Sequence, residues 1–130
     1  MSPVRILVVE DEPLIRLFVA DILEDVGFTV EEAANAEEAI GKLGSNTMPF
    51  DAVIIDVGLP DRPGDVLAEQ LRGMWKDLPI VIATGHDRSV LGQRFGHDTR
   101  VRVLGKPYYG DMLLAALSAM GVVRSQSPSD

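Results

Sequence analysis

The chain has 130 residues, a common size for one domain and enough to bury about two-thirds of its unfolded surface without staples. Twenty acidic against twelve basic residues give a net charge of −8, which serves solubility and argues against a nucleic-acid surface, because phosphate binding needs clustered Lys and Arg. The absence of cysteine excludes disulfides and thiolate metal sites. No apolar run approaches a membrane span, and the opening "MSPVR" lacks a signal-peptide core, so a soluble, cytoplasmic chain is expected.

Apolar, β-branched runs at 4–9, 28–32, 52–55, 80–83 and 101–104 read as strands covered on both faces. Between the first two, residues 14–26 put Ile15, Phe18, Ile22 and Val26 on one helical stripe, and Gly27 stands where a helix C′ glycine belongs. Asn35-Ala36-Glu37-Glu38 is an N-cap with an acid at N3, opening a helix to about Leu43. Pro63-Gly64 opens a helix over 65–72, with Met74 and Trp75 packing at its end. Residues 87–100 have few apolar positions and an interior Gly92, which predicts a short, frayed or shifted fourth helix. Met112, Leu113, Ala116, Leu117 and Met120 form the inner face of the last helix. Residues 1–123 thus read as one domain and 124–130 as a disordered polar tail; Met1 and that tail predict a natural single-domain protein.

Strands alternating with helices predict a three-layer α/β sandwich around a five-stranded parallel sheet with right-handed crossovers. In such folds function gathers beyond the carboxyl ends of the strands. The first strand ends in Glu10-Asp11, the third in Asp56, the fourth in Thr84 and the fifth in Lys106. Carboxylates in contact repel by roughly 4 kcal/mol per pair at a surface-like dielectric, so a cation is expected among them. Oxygen ligands suit Mg2+, held by Glu10, Asp11 and Asp56. A carboxylate there can act as a nucleophile toward phosphorus, with Lys106 and Thr84 placed to neutralise phosphoryl oxygens.

The segments "VVEDEP", "IIDVGLPDRPG", "IATG" and "LGKPY" resemble the signatures of response-regulator receiver domains, the CheY-like family, over roughly residues 4–120. The resemblance implies the flavodoxin-like strand order 2-1-3-4-5. It implies that Asp56 accepts a phosphoryl group from a sensor histidine kinase or phosphotransfer protein. Asp11 would bind Mg2+ directly, Glu10 through water, and Gly58 by its carbonyl, while Thr84 and Lys106 would be the switch hydroxyl and the family lysine, followed by a cis bond to Pro107. The chain would assist its own phosphorylation and dephosphorylation without being a turnover enzyme. A downstream protein would read the 85–109 face, with no nucleic acid or membrane involved, from a monomer or weak dimer.

Some positions depart from the family pattern. Glu10 replaces the usual Asp, Gly58 and Gly85 carry no screening side chain, and Val103 stands where many receivers have an aromatic switch residue. "IATGH" resembles a subgroup with an Ala-Thr-Gly motif. His86 and His97 read as surface residues. Competing readings are a phosphate sink or shuttle, a non-phosphorylated docking module, and a Mg2+-dependent phosphatase of the haloacid-dehalogenase type, which would want an acid where Gly58 stands. A flavodoxin-like cofactor binder is opposed by Glu10-Asp11-Glu12 in its phosphate loop.

Overall fold

Five strands and five helices alternate along the chain: β1 (Arg5–Val9), α1 (Pro13–Asp25), β2 (Thr29–Ala33), α2 (Ala36–Ser45), β3 (Ala52–Asp56), α3 (Gly64–Met74), β4 (Ile80–Thr84), α4 (Arg88–Arg94), β5 (Val101–Gly105) and α5 (Gly110–Ala119). They belong to a computed structural model that describes residues 3–45, 49–85 and 88–123; the 124–130 tail and His86 lie outside the described residues. All neighbouring strands pair in parallel, in the order β2-β1-β3-β4-β5, as the resemblance implied. This is the flavodoxin-like CheY fold.

The period-2 rule divides the apolar strand residues between two cores. Leu7, Val9, Val53, Ile55, Ile80 and Ile82 face one side, with Leu67 and Leu71 of α3 and Leu91 of α4. Ile6, Val8, Ile54 and Val81 face the other, against Leu23 of α1 and Leu113 and Leu117 of α5. Each such fully buried side chain contributes about 1.5–3 kcal/mol over exposure. β1, β3 and β4 are buried along their whole length, as near-continuous apolar runs require. Edge strand β2 is not: Thr29 and Glu32 are exposed, so the expectation of two covered faces fails there.

Helix ends follow local chemistry. Gly27 has φ +100°, and the Gly27 and Phe28 amides donate back to the Glu24 and Leu23 carbonyls, closing α1. Asn35 Oδ1 accepts from the Glu38 amide at 2.8 Å, while Glu38 reaches back to the Ala34 amide. Gly64 is obligatory, since a Cβ there would lie 2.2 Å from the Asp56 carbonyl oxygen; α3 therefore starts against the end of β3.

Three expectations about apolar faces need correction. In α1 the buried residues are Val19, Ala20 and Leu23, while Ile15 and Phe18 are exposed and Ile22 and Val26 only half-buried. Residues 14–23 are apolar nearly all round, so spacing alone does not set the phase of the helix. Met112 stands outside the inner face of α5, and Met74 is exposed while its neighbour Trp75 packs on the core. The fourth helix is short, seven residues with Leu91 as its buried anchor.

One long-range cap fixes the loop between β3 and α3. The Asp61 carboxylate accepts the Ala36 and Glu37 amides at 2.9 and 3.0 Å, at the N-terminus of α2. The Ala36 bond, more than any other contact, holds the Asp61 carboxyl below its usual range. Its stabilisation is complete above the unfolded carboxylate pKa of about 3.9 and is lost as pH falls through the lower folded value. Asp61→Ala should therefore cost about 1 kcal/mol in urea unfolding at pH 7, and the gap to wild type should close as both are acidified.

Candidate functional site

The three carboxylates meet at the carboxyl edge of the sheet because β1 and β3 are adjacent and in register, Val9 opposite Ile55. Asp56 ends β3 and Glu10 follows β1, and both are buried; Asp11 reaches outward. Oxygens of Glu10, Asp11 and Asp56 lie within 4.8 Å of one another. Lys106 comes in from beyond β5, its Nζ paired with Asp56 Oδ1 and 3.8 Å from Glu10 Oε1. The bond between Lys106 and Pro107 is cis. Thr84, buried at the end of β4, is bound to Lys106 through the backbone, the Lys106 amide donating to the Thr84 carbonyl at 2.7 Å. The Gly58 amide donates to Asp56 Oδ2 at 3.0 Å, and a Cβ on Gly58 would stand 3.1 Å from that same oxygen. Every residue singled out at a strand end in the sequence, and Gly58 with them, is thus gathered around one point.

Electrostatics follow from this crowding. Burial pushes the Glu10 carboxyl up and the charge of Asp56 adds to the rise, while the Glu12 amide, 3.1 Å from Glu10 Oε2, and Lys106 oppose it. Tyr108, two residues beyond Lys106, is pushed up to about 12 by burial and by the negative charges of Glu10 and Asp56. An all-oxygen, anionic donor set with a buried acid whose charge is disfavoured fits a small hard dication. One lysine faces three acids, so the cluster keeps a negative excess for such an ion to balance.

Around the carboxylates the surface is open on one side. A hollow of about 570 Å³ runs from Asp56, Thr84 and Lys106 past Gly58 and Gly85 to Val90 and Arg94 of α4. On the other side of Lys106, Ile15, Phe18, Pro107 and Tyr108 line an apolar hollow of about 370 Å³. Leu14 is 79% exposed and Phe18 55%, so this apolar surface continues over α1. Assigning Ile15 and Phe18 to the core conceals that surface when only the sequence is read.

The chain belongs to the response regulator receiver domain family, whose sequence model matches residues 6–118. Response regulator MprA of Mycolicibacterium vanbaalenii is 36% identical over 131 residues, covering 98% of this chain and 54% of its own. The chain thus spans about half the length of the curated relatives it matches. Among solved structures, a CheY-like receiver domain protein from Methanospirillum hungatei superposes with a TM-score of 0.78 at 30% identity, covering 90% of this chain and 92% of its own. Chemotaxis protein CheY4 of Vibrio cholerae gives 0.81 at 29% identity, over 92% and 99%. TrrA of Thermotoga maritima, solved in complex with Mg(2+)-BeF, gives 0.74 at 29%, over 90% and 98%. Receiver domains of this family bind Mg2+ at an acidic pocket and interact with histidine kinases or phosphotransfer proteins. Among the described residues no helix is long and apolar enough to cross a membrane.

Because the folded protein disfavours a charged Glu10, that residue favours folding at low pH, and the benefit is lost as pH rises through its raised pKa. Glu10→Gln should accordingly raise the Tm of the metal-free protein at pH 7, by roughly 3–6 °C per kcal/mol of strain relieved, with the gain vanishing in acid. If the cluster takes Mg2+, wild type should gain about 2.7 kcal/mol at a hundredfold excess over Kd, and the same variant should gain much less. Differential scanning fluorimetry with and without Mg2+ measures both.

Proposed function

We propose that this chain is the phosphoacceptor of a two-component or phosphorelay system, taking a phosphoryl group on Asp56 from a phosphohistidine. The observation that carries the reading is the convergence of Glu10, Asp11 and Asp56 on one point with Lys106 set against Asp56. An Asp56 oxygen attacks phosphorus, the O–P bond forms as the N–P bond of the phosphohistidine breaks, and the imidazole keeps the electron pair. Mg2+, held by Glu10, Asp11, the Asp56 carboxylate and the Gly58 carbonyl, would neutralise phosphoryl oxygens. The Gly58 amide keeps the Asp56 carboxylate oriented, and Lys106, already paired with it, follows the charge onto the phosphoryl group. The Thr84 hydroxyl is drawn toward the new dianion. No acid stands two residues beyond Asp56 to protonate a leaving alcohol, which disfavours a phosphatase.

The response is expected in residues 85–109, read by a downstream protein. α4 is the short element there. Its seven residues bury Leu91, and Arg94 ties it to Asp65 and Glu69 of α3. A local charge event at the strand end can bias such a segment. Val103 presents no ring for an aromatic switch, so backbone movement of the Thr84 strand end and of α4 carries the change.

The phosphodonor is taken to dock on the apolar surface of Leu14, Ile15, Leu17 and Phe18, which borders Lys106 and Pro107. A helix presenting its histidine beside an apolar stripe fits that surface.

Two measurements test the reading. Acetyl phosphate with Mg2+ should add one phosphoryl group to wild type by intact mass and none to Asp56→Asn; stoichiometric labelling of the variant would remove Asp56 from its role. Phe18→Ala should slow transfer from a cognate kinase about tenfold or more while leaving acetyl phosphate labelling unchanged. Equal slowing of both would place Phe18 in the fold instead of the docking surface.

A further inference from the structure

Arg16 is not among the strand-end residues, yet its side chain closes on the acid turn. On α1, its Nη1 donates to the Glu10 carbonyl at 2.8 Å and its Nε to Glu32 Oε1 of β2 at 2.9 Å. The Arg16 amide donates to the Glu12 carbonyl at 2.9 Å, so backbone and guanidinium of one residue grip both ends of Glu10-Asp11-Glu12. The Glu10 amide is itself bound to the Ala33 carbonyl of β2 at 3.0 Å. Glu32 is steadied in turn, its carbonyl accepting Lys42 Nζ of α2 at 2.5 Å. The turn that carries two of the three clustered carboxylates is therefore fastened to α1 and to β2 by one planar fork.

We infer that Arg16 is a positioning residue for the metal: its fork between the Glu10 carbonyl and Glu32 holds the β1–α1 turn so that the Glu10 and Asp11 carboxylates converge with Asp56. The inference rests on reading that cluster as a Mg2+ site. A guanidinium suits the task because two of its donors lie in fixed directions, which a flexible ammonium does not reproduce. Residues that orient metal ligands from behind typically govern tenfold to hundredfold in affinity.

The sign of the effect separates this role from simple proximity. Arg16 is a cation near a dication site, and as a charge alone it opposes Mg2+. Removing it would then tighten binding. If it positions the turn, removing it weakens binding.

Calorimetric titration of the intact chain with MgCl2, alongside the Tm of each metal-free protein, separates the two. Arg16→Met should bind Mg2+ about 10–100-fold more weakly than wild type. Arg16→Lys should recover part of that loss yet stay several-fold weaker than wild type, and Glu32→Gln, which leaves the bond to the Glu10 carbonyl, should lose only a few-fold. Arg16→Met binding as tightly as wild type, or more tightly, overturns the proposal. Should Arg16→Met fail to fold, Arg16→Lys decides between them: wild-type affinity overturns positioning, several-fold weakening supports it. Wild type that takes up no Mg2+ while Asp56 still labels would refute the metal reading and this inference together. Mg2+ uptake by wild type with unchanged Arg16 variants would refute this inference alone.

Discussion

The structure turns on an imbalance at one end of the sheet, where three carboxylates converge and one lysine answers them. A fold optimised for stability alone would not place Glu10 and Asp56 side by side with both nearly removed from solvent. The burial that raises the Glu10 pKa is the same burial that strengthens every charge interaction at Asp56. The apolar strands beneath supply what the cluster gives up. β1, β3 and β4 are buried from end to end, and their side chains fill two cores that hold the strand ends in fixed register. Tolerance of an unfavourable charge arrangement at the edge thus depends on the regularity of the interior.

The two flanks of the site are held by different kinds of contact. On the β1–α1 side, Glu10 is held by the Ala33 carbonyl, by Arg16 and by the Glu12 amide, and α1 ends in a closed glycine cap. The β3–α3 loop is fixed at Asp61 by the amides of α2 and at Gly64 by contact too close for any side chain. On the α4 side, Leu91 and the adjoining Phe95 are buried in the core, and Arg94 bridges Asp65 and Glu69 of α3.

Much of this is legible in the sequence, and the part that is not has a common cause. Strand ends are readable because parallel strands with both faces covered announce themselves as continuous apolar runs, and the first polar residue after each run must lie at the sheet's edge. Glu10, Asp11, Asp56, Thr84 and Lys106 need no more than that. The inner face of α1 is not readable, because Leu14, Ile15, Leu17, Phe18, Val19, Ala20, Ile22 and Leu23 offer apolar residues at nearly every angle, so a 3.6-residue period fits more than one phase. Arg16 and Asp61 carry no sequence signal because their partners are supplied by register and not by proximity along the chain. Glu32 reaches Arg16 only because β2 lies beside β1, and Ala36 reaches Asp61 only because α2 and the β3–α3 loop share one end of the sheet.

The glycines beside Asp56 shape the approach to its carboxylate. Gly58 brings its amide to Asp56 Oδ2 and offers no atom beyond its Cα, and Gly85 is exposed at the end of β4. Together they leave the Asp56 carboxylate at one end of an open hollow that reaches Arg94. A Cβ at position 58 would stand 3.1 Å from Asp56 Oδ2, so the residue whose amide orients the carboxylate also leaves the space beside it open. With Asp56 itself buried, whatever approaches its carboxylate comes by way of that hollow, past Thr84 and Lys106, so the same few side chains govern both access to the carboxylate and its charge.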